Sequence, residues 1–184
     1  MRMFSIAAIA LLSACSGPAA VSYYQLPAAT SANIASDAAK SFYVAPVEVA
    51  TYLNGRGLVL QLSEIELSMA RQHLWAEPLA QQVQRQLREQ LASQLLYKAR
   101  LSAIAADVVV YVQLDRFHGT HDGQAVISGR YQLSSHAASE AFSLQVPLEE
   151  DGYPALVKAL NQGLEQLSSK ISQQISKAEE AAAG

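Results

Sequence analysis

The sequence predicts an α+β fold, a two-layer sandwich in which two amphipathic helices cover one face of a largely antiparallel sheet. Two segments, one in the middle of the chain and one at its end, repeat apolar residues with the helical period. The segments before and between them alternate apolar and polar residues, which is typical of strands with one buried face. The predicted order is β-β-β-α-β-β-β-α, which indicates an α+β domain.

The first 14 residues have the pattern of a lipoprotein signal peptide. Arg2 supplies a positive charge, and the apolar run after it has about ten residues, too few to cross a bilayer. The run ends at Leu12-Ser13-Ala14-Cys15, which looks like a bacterial lipobox. The alternatives are an ordinary secretory signal followed by a chance cysteine, and an intracellular protein with an apolar N-terminus. We expect an acylated Cys15 to begin the mature chain, and residues 15–21 to form a tether.

The predicted anchor favours the outer membrane, with the domain facing the periplasm. Ser16 would follow the acylated cysteine, in place of the aspartate that usually retains lipoproteins in the inner membrane. Each buried acyl methylene contributes about 0.8 kcal/mol, so several chains on one residue give lasting attachment. The chain has 13 basic and 16 acidic side chains and no Lys/Arg run, which argues against a nucleic-acid partner. Apart from this covalent lipid, no cofactor is expected.

A single periplasmic domain is predicted over residues 22–178, and its first three strands precede a helix. The second of these strands contains Pro46, which has no N–H to donate, so the strand is expected at an edge or with a bulge. The turn before the third strand is Asn54-Gly55-Arg56-Gly57. In chain order, the strands are predicted at Ser22–Pro27, Phe42–Ala50 and Leu58–Leu62.

The first helix is predicted over Ala76–Tyr97, because apolar residues from Leu79 to Leu95 recur every four positions. Gln, Arg and Glu side chains occupy its other faces. A three-strand meander follows over Asp107–Leu148, with Asp122-Gly123 as a tight turn.

The last helix is predicted over Tyr153–Lys177, and residues 179–184 are expected to be a disordered tail. Its nearly heptad spacing fits either a coiled-coil partner helix or a helix packed on its own sheet, and its length favours the second. The residues expected to fill the sheet–helix layer are Leu87, Leu91, Val110, Val112, Ile127, Phe142, Leu144, Leu160 and Leu164.

Four motifs occur in an order that resembles the ABC-type transport auxiliary lipoproteins, the PqiC-like family, also called membrane integrity-associated lipoproteins. They are the lipobox, "YYQLP", "VAPVEVATYLNGRGLVLQLSEIEL" and "LWAEPL". The resemblance covers nearly the whole mature chain. It implies an outer-membrane lipoprotein that works beside MCE-domain proteins, which form a lipid-conducting conduit between the two membranes. The family often has an arginine-proline pair after its tyrosine-leucine, and here two glycines are expected to loosen the turn at residues 52–57.

The sequence offers little chemistry, so no catalytic residue and no enzyme activity are predicted. It has no nucleophile elbow, phosphate loop or His-Glu-x-x-His motif, which disfavours an envelope hydrolase. His118 and His121 flank the predicted hairpin turn. They could belong to a metal site, but convergent ligands are lacking, so exposed turn residues are the preferred interpretation and no metal site is predicted.

The candidate partner-binding residues are Trp75, Glu77 and Pro78, at the entry to the first helix. Trp75 is either a core residue that staples the helix start or an anchor for a partner. Pro78 suits the first helical turn, and Glu77 suits the positive end of the helix dipole. The predicted function is docking of a lipid-transport conduit at the outer membrane. The alternative function is that of a carrier which holds an acyl chain between sheet and helices. Assembly with further copies of the chain, as a homo-oligomer, is compatible with either function.

Overall fold

The computed structural model describes residues 20–29, 40–95, 97–136 and 138–183. The predicted signal peptide, Cys15 and Ser16 lie outside the described residues. Within the described part, neither helix is long and apolar enough to span a bilayer. In chain order, the strands are β1 (Ser22–Tyr24), β2 (Ser41–Val44), β3 (Glu48–Val49), β4 (Gly57–Gln61), β5 (Leu67–Trp75), β6 (Lys98–Ala99), β7 (Val108–Thr120), β8 (Gln124–Leu133) and β9 (Glu140–Pro147), and the helices are α1 (Leu79–Gln94) and α2 (Tyr153–Ala183).

Strand β7 is the centre of one mixed sheet. It pairs antiparallel with β8, which pairs antiparallel with β9, and these are the longest ladders. On its other side β7 pairs in parallel with β2, β3 and β4, each over two or three residues. Strand β5 pairs antiparallel with β4 and in parallel with β1, while β6 pairs in parallel with β2. The predicted α+β fold is confirmed, with short parallel pairings that the sequence did not predict.

The two helices pack against each other and against one face of the sheet, and the layer between them is filled. All nine residues predicted for this layer belong to the core, with Leu144 partly buried at its margin. The helix α2 approaches β8 closely at Gly163, where a Cβ would lie 1.8 Å from Cδ1 of Ile127. Only glycine permits this approach without moving the buried isoleucine side chain, so the sheet–helix contact leaves little free space.

A polar seam runs through the contact between α1 and α2. Three glutamines spaced four residues apart on α1 are buried, although they were expected on its solvated faces. The seam is held by hydrogen bonds from Gln94 Nε2 to Ser168 Oγ (2.9 Å) and from Ser172 Oγ to Gln94 Oε1 (2.9 Å). Such pairing satisfies groups that would otherwise cost free energy on burial. Gln86 joins the seam through Asn161 Oδ1 (3.3 Å). Gln82 instead pairs with the main chain of Leu26 and Glu77, and the buried amide of Gln90 has no hydrogen-bond partner among the described residues.

Several predicted element boundaries were wrong for identifiable reasons. The predicted strand Phe42–Ala50 is interrupted at Pro46, which divides it into β2 and β3. Strand β5 was not predicted, because most of its residues are partly or fully exposed and show no apolar alternation. Residues 179–183, predicted as a disordered tail, continue α2 because they are all alanine or glutamate, which are strong helix formers.

Candidate partner-binding site

The predicted partner-binding residues lie where β5 ends and α1 begins. Trp75 is only 3% exposed, and its ring centroid lies 6.2 Å from that of Phe117 in the core. This burial favours the core interpretation of Trp75 over the partner-anchor interpretation. Pro78 is exposed and Glu77 is partly exposed. A partner at this junction would therefore meet Glu77 and Pro78 before the indole.

Pro78 and Glu77 shape the start of α1. The Pro78 carbonyl accepts hydrogen bonds from the main-chain N–H groups of Gln81 (3.1 Å) and Gln82 (3.3 Å), so Pro78 is the residue before the first turn. The Glu77 carboxylate pairs with Arg85 across 2.8 Å, with both side chains about 40% exposed. An exposed pair of this kind contributes about 0–1 kcal/mol. Glu77 therefore remains available to a partner that can compete with Arg85.

Arg56 stabilises the junction, a role that could not be predicted from the sequence. Its carbonyl accepts a hydrogen bond from the Trp75 N–H (2.6 Å). Its guanidinium donates through Nε to the Trp75 carbonyl (3.2 Å) and through Nη2 to the Ala76 carbonyl (2.9 Å). The same guanidinium lies 5.5 Å from the ring centroid of Tyr23. Arg56 thus joins three segments of the chain at one point.

Gly57 does not loosen the turn at residues 52–57 as predicted. It begins β4, and a Cβ at this position would lie 2.4 Å from the carbonyl oxygen of Ala70 in β5. Real Cβ atoms do not approach a backbone oxygen so closely, so only glycine fits this close strand contact. The prediction was wrong because the residue serves strand packing and not turn flexibility.

The "YYQLP" segment is hydrogen-bonded to the start of α1. The Tyr24 carbonyl accepts a hydrogen bond from the Ala76 N–H (2.7 Å). The Leu26 N–H donates to Gln82 Oε1 (2.9 Å), and Gln82 Nε2 donates to the Glu77 carbonyl (2.9 Å). Further along, the Pro27 carbonyl accepts a hydrogen bond from Gln86 Nε2. The segments "YYQLP" and "LWAEPL", separated by some 45 residues, therefore form one structural unit with Arg56.

An aromatic cluster links this unit to α2. The hydroxyl of Tyr24 is hydrogen-bonded to Nδ1 of His73 (3.0 Å). The His73 ring stacks on Tyr153, the first residue of α2, with ring centroids 4.0 Å apart and 20° between the planes. The junction is consequently supported by β1, β5 and both helices. This makes it a rigid surface on which Glu77 and Pro78 are presented.

His118 was predicted as an exposed turn residue, and this was wrong. Strand β7 continues to Thr120, and the His118 side chain is 2% exposed within it, whereas His121 lies exposed in the turn. The His118 Nδ1–H donates to the Gly119 carbonyl (3.0 Å). Burial lowers the pKa of His118 below its usual value, and the charge of Arg116 lowers it further. Among the described residues, no three His, Cys, Asp or Glu side chains are grouped so that they could hold a metal ion.

We expect the buried His118 to make stability depend on pH. Its pKa is lowered in the folded state, so the unfolded chain binds the proton more readily below about pH 6.5. The free energy of unfolding should therefore fall as the pH drops below about 6.5, down to the folded-state pKa. Urea unfolding between pH 7.5 and 5 should show a smaller fall in His118→Gln than in the wild type. The same slope in both proteins would contradict this assignment, and His121→Gln, at an exposed position, is the matched control.

An open groove lies on the sheet face opposite the helices. It has a volume of about 270 Å³ and is bordered by Glu48, Tyr111, Gln113 and Arg130, among others. The lining mixes polar and apolar groups, and Tyr111 is 50% exposed. This groove differs from the apolar chamber between sheet and helices that a carrier of acyl chains needs.

Comparison with known proteins gives consistent results. The model of the ABC-type transport auxiliary lipoprotein component family matches residues 24–172. The chain is 32% identical to the intermembrane transport lipoprotein PqiC of Escherichia coli K12 over 179 residues, which covers 94% of this chain and 96% of PqiC. A crystal structure of an uncharacterized protein is 34% identical with a TM-score of 0.75, covering 85% of this chain and 99% of that one. Protein XCC0632 of Xanthomonas campestris, 18% identical with a TM-score of 0.68 over 88% of this chain and 99% of its own, shares the fold.

Proposed function

Because the chain belongs to the family of ABC-type transport auxiliary lipoprotein components, we propose that it docks a lipid-conducting conduit at the outer membrane. Members of this family are auxiliary lipoproteins of intermembrane transport, and the family is not one of enzymes. In the proposal, acyl chains on Cys15 hold the protein in the outer membrane, facing the periplasm. The conduit is formed by an MCE-domain protein, and docking supports the integrity of the envelope.

The observation that carries the docking proposal is the filled layer between the sheet and the helices. Leu87, Leu91 and Leu164 are fully buried in it, and α2 lies against Ile127 at Gly163. A carrier would need that space for an acyl chain. A domain with a filled core acts through its surface, which agrees with tethering as the mechanism. Confinement by the acyl anchor raises the effective concentration of a weak docking surface.

The docking surface that we propose is the β5–α1 junction at Glu77 and Pro78. Hydrogen bonds on the inner side of this junction come from Arg56, Trp75 and the "YYQLP" segment. The exposed residues of the junction therefore have one defined position. A pre-ordered surface loses little conformational entropy on binding, which favours association.

Site-specific photo-crosslinking tests the docking proposal. With a photoreactive residue in place of Pro78, we expect a crosslink between this protein and the MCE-domain protein encoded in the same cells. Gln166, on the outer side of α2, offers a matched control position. The adduct should form at position 78 and be absent or several-fold weaker at position 166.

Two outcomes would contradict it. Equal crosslink yields at positions 78 and 166 would show that the MCE-domain protein contacts this protein without preferring the β5–α1 junction. No adduct at position 78, with an MCE adduct at a third exposed position such as Gln113, would move the docking surface to the opposite face of the sheet.

A further inference from the structure

The turn between β4 and β5 presents an exposed apolar side chain. Ile65 is 97% exposed and Leu62 is 41% exposed. The turn is closed by a main-chain hydrogen bond from the Leu62 N–H to the Glu66 carbonyl (2.9 Å). Its conformation is therefore defined, and it holds Ile65 away from the domain. We call residues 62–66 the Ile65 tip.

The start of the domain leads toward the Ile65 tip. Strand β1 is parallel to β5, with Ser22 opposite His73. Strand β5 begins beside the tip, at Leu67. The chain therefore enters β1 from the tip side of the sheet, at Val21 and Ser22.

Chain length sets how far the acylated cysteine can lie from the domain. The seven residues from Cys15 to Val21 span at most about 24 Å when fully extended. Measured along β4, whose Gly57 pairs with Leu74 and whose Gln61 pairs with Leu67, the distance from the level of Ser22 to the tip is about 10–14 Å. The tether is therefore long enough to reach past the tip. A bilayer that holds Cys15 is then within reach of Ile65.

A second exposed apolar loop serves as a comparison, because it lies at the other end of the sheet. Leu101 and Ile104 are each 83% exposed, in the loop before β7. Through the pairing of β1 with β5, β5 with β4 and β4 with β7, Ser22 lies near the level of Phe117. The distance along β7 from Phe117 back to Val108, where this loop ends, is roughly 30 Å. This distance runs away from the tether and exceeds its length. The two loops are similarly exposed, but the length of the tether allows only the Ile65 tip to reach the membrane that holds Cys15.

We propose that Ile65 and Leu62 enter the phospholipid surface to which the protein is anchored. The inference rests on the proposed acylation of Cys15. Ile65 is flanked by the exposed carboxylates of Glu64 and Glu66. These charges are repelled by anionic lipids, so the tip fits a surface of zwitterionic headgroups such as phosphatidylethanolamine. The contact fixes the orientation of the domain, with the loop at Leu101 and Ile104 directed away from the membrane.

Fluorescence quenching in vesicles tests this orientation. The full-length lipidated protein offers a clean background, because its one cysteine carries the acyl groups. Ile65→Cys and Leu101→Cys would each be labelled with an environment-sensitive fluorophore in vesicles of phosphatidylethanolamine and phosphatidylcholine. Nitroxide-labelled lipids should quench the label at position 65 several-fold more than the label at position 101. Both positions are exposed, so neither substitution is expected to disturb folding.

The outcomes separate this inference from the proposed function. Equal quenching at both positions, or stronger quenching at position 101, would overturn the orientation. Shielding of position 65 from a water-soluble quencher without lipid quenching would show that a second copy covers the tip. Addition of phosphatidylglycerol should weaken quenching at position 65, and stronger quenching would overturn the preference for zwitterionic headgroups. Failure of the protein to float with vesicles would instead contradict the anchor itself.

Discussion

Truncation of Leu164 to alanine should lower the free energy of unfolding by about 2–5 kcal/mol. Leu164 is fully buried on α2, one residue after the glycine that brings this helix against the sheet. Because the surrounding layer is filled, the lost methyl groups leave a cavity that the neighbouring side chains cannot close. Urea or thermal unfolding of the anchor-free domain would measure the loss.

Leu101→Ala is the matched control for this truncation. Leu101 is 83% exposed, so the same chemical change should alter stability by no more than about 0.5 kcal/mol. A small loss at Leu164, together with phospholipid co-purifying with the wild-type protein in native mass spectrometry, would contradict the docking proposal. In that case the layer would have adjustable space, and the domain would be a lipid carrier.

Removal of the acyl anchor should abolish function while leaving the domain folded. A variant exported by a cleavable signal without the lipobox cysteine would diffuse through the periplasm. Loss of confinement lowers the effective concentration of the docking surface by on the order of 10²-fold or more. Sensitivity of the cells to detergent or bile salts would measure the loss of envelope integrity, and circular dichroism would verify the fold. A soluble carrier would keep its activity without an anchor, so full complementation by this variant would contradict the proposal.

The native signal peptide with Cys15→Ala supplies the companion experiment. This precursor should be neither acylated nor cleaved at position 15, whereas mass spectrometry of the wild-type protein should show an acylated Cys15 as its first residue. An unmodified cysteine in the wild type would contradict lipidation.

The sequence predicted the elements whose burial is one-sided. The apolar repeat from Leu79 to Leu91 and the alternation around Val110 and Ile127 correspond to buried faces, so helices and meander were found. Strand β5 was missed because its one fully buried residue, Trp75, stands at its very end. The buried glutamines of α1 were also assigned to the wrong face. Their burial depends on contacts distant in the chain: Gln86 pairs with Asn161 on α2, 75 residues away, and Gln82 with the main chain of Leu26, 56 residues away.

The candidate site was only partly predictable from the sequence. The order of the motifs identified the family correctly. The assignment of Glu77 and Pro78 to partner binding stays a prediction. The role of Arg56 was missed, because its guanidinium acts on the main-chain carbonyls of Trp75 and Ala76. Every residue has a main-chain carbonyl, so the residue type does not indicate which carbonyl accepts such a hydrogen bond. The contact between Tyr24 and Ala76 is invisible for the same reason.

The central position of β7 has a consequence for the order in which the protein folds. Ser41 and Asp107 are 66 residues apart, yet the Ser41 N–H and hydroxyl both donate to the Asp107 carboxylate at 2.7 Å. Strands β2, β3 and β4 all pair with β7, so the sheet lacks its central strand until β7 has been made, although β4 can pair with β5 and β2 with β6 before that. Such distant pairings close long loops and slow folding. We therefore expect the N-terminal half to remain incompletely folded while it is being made, a condition that favours threading through a secretion channel.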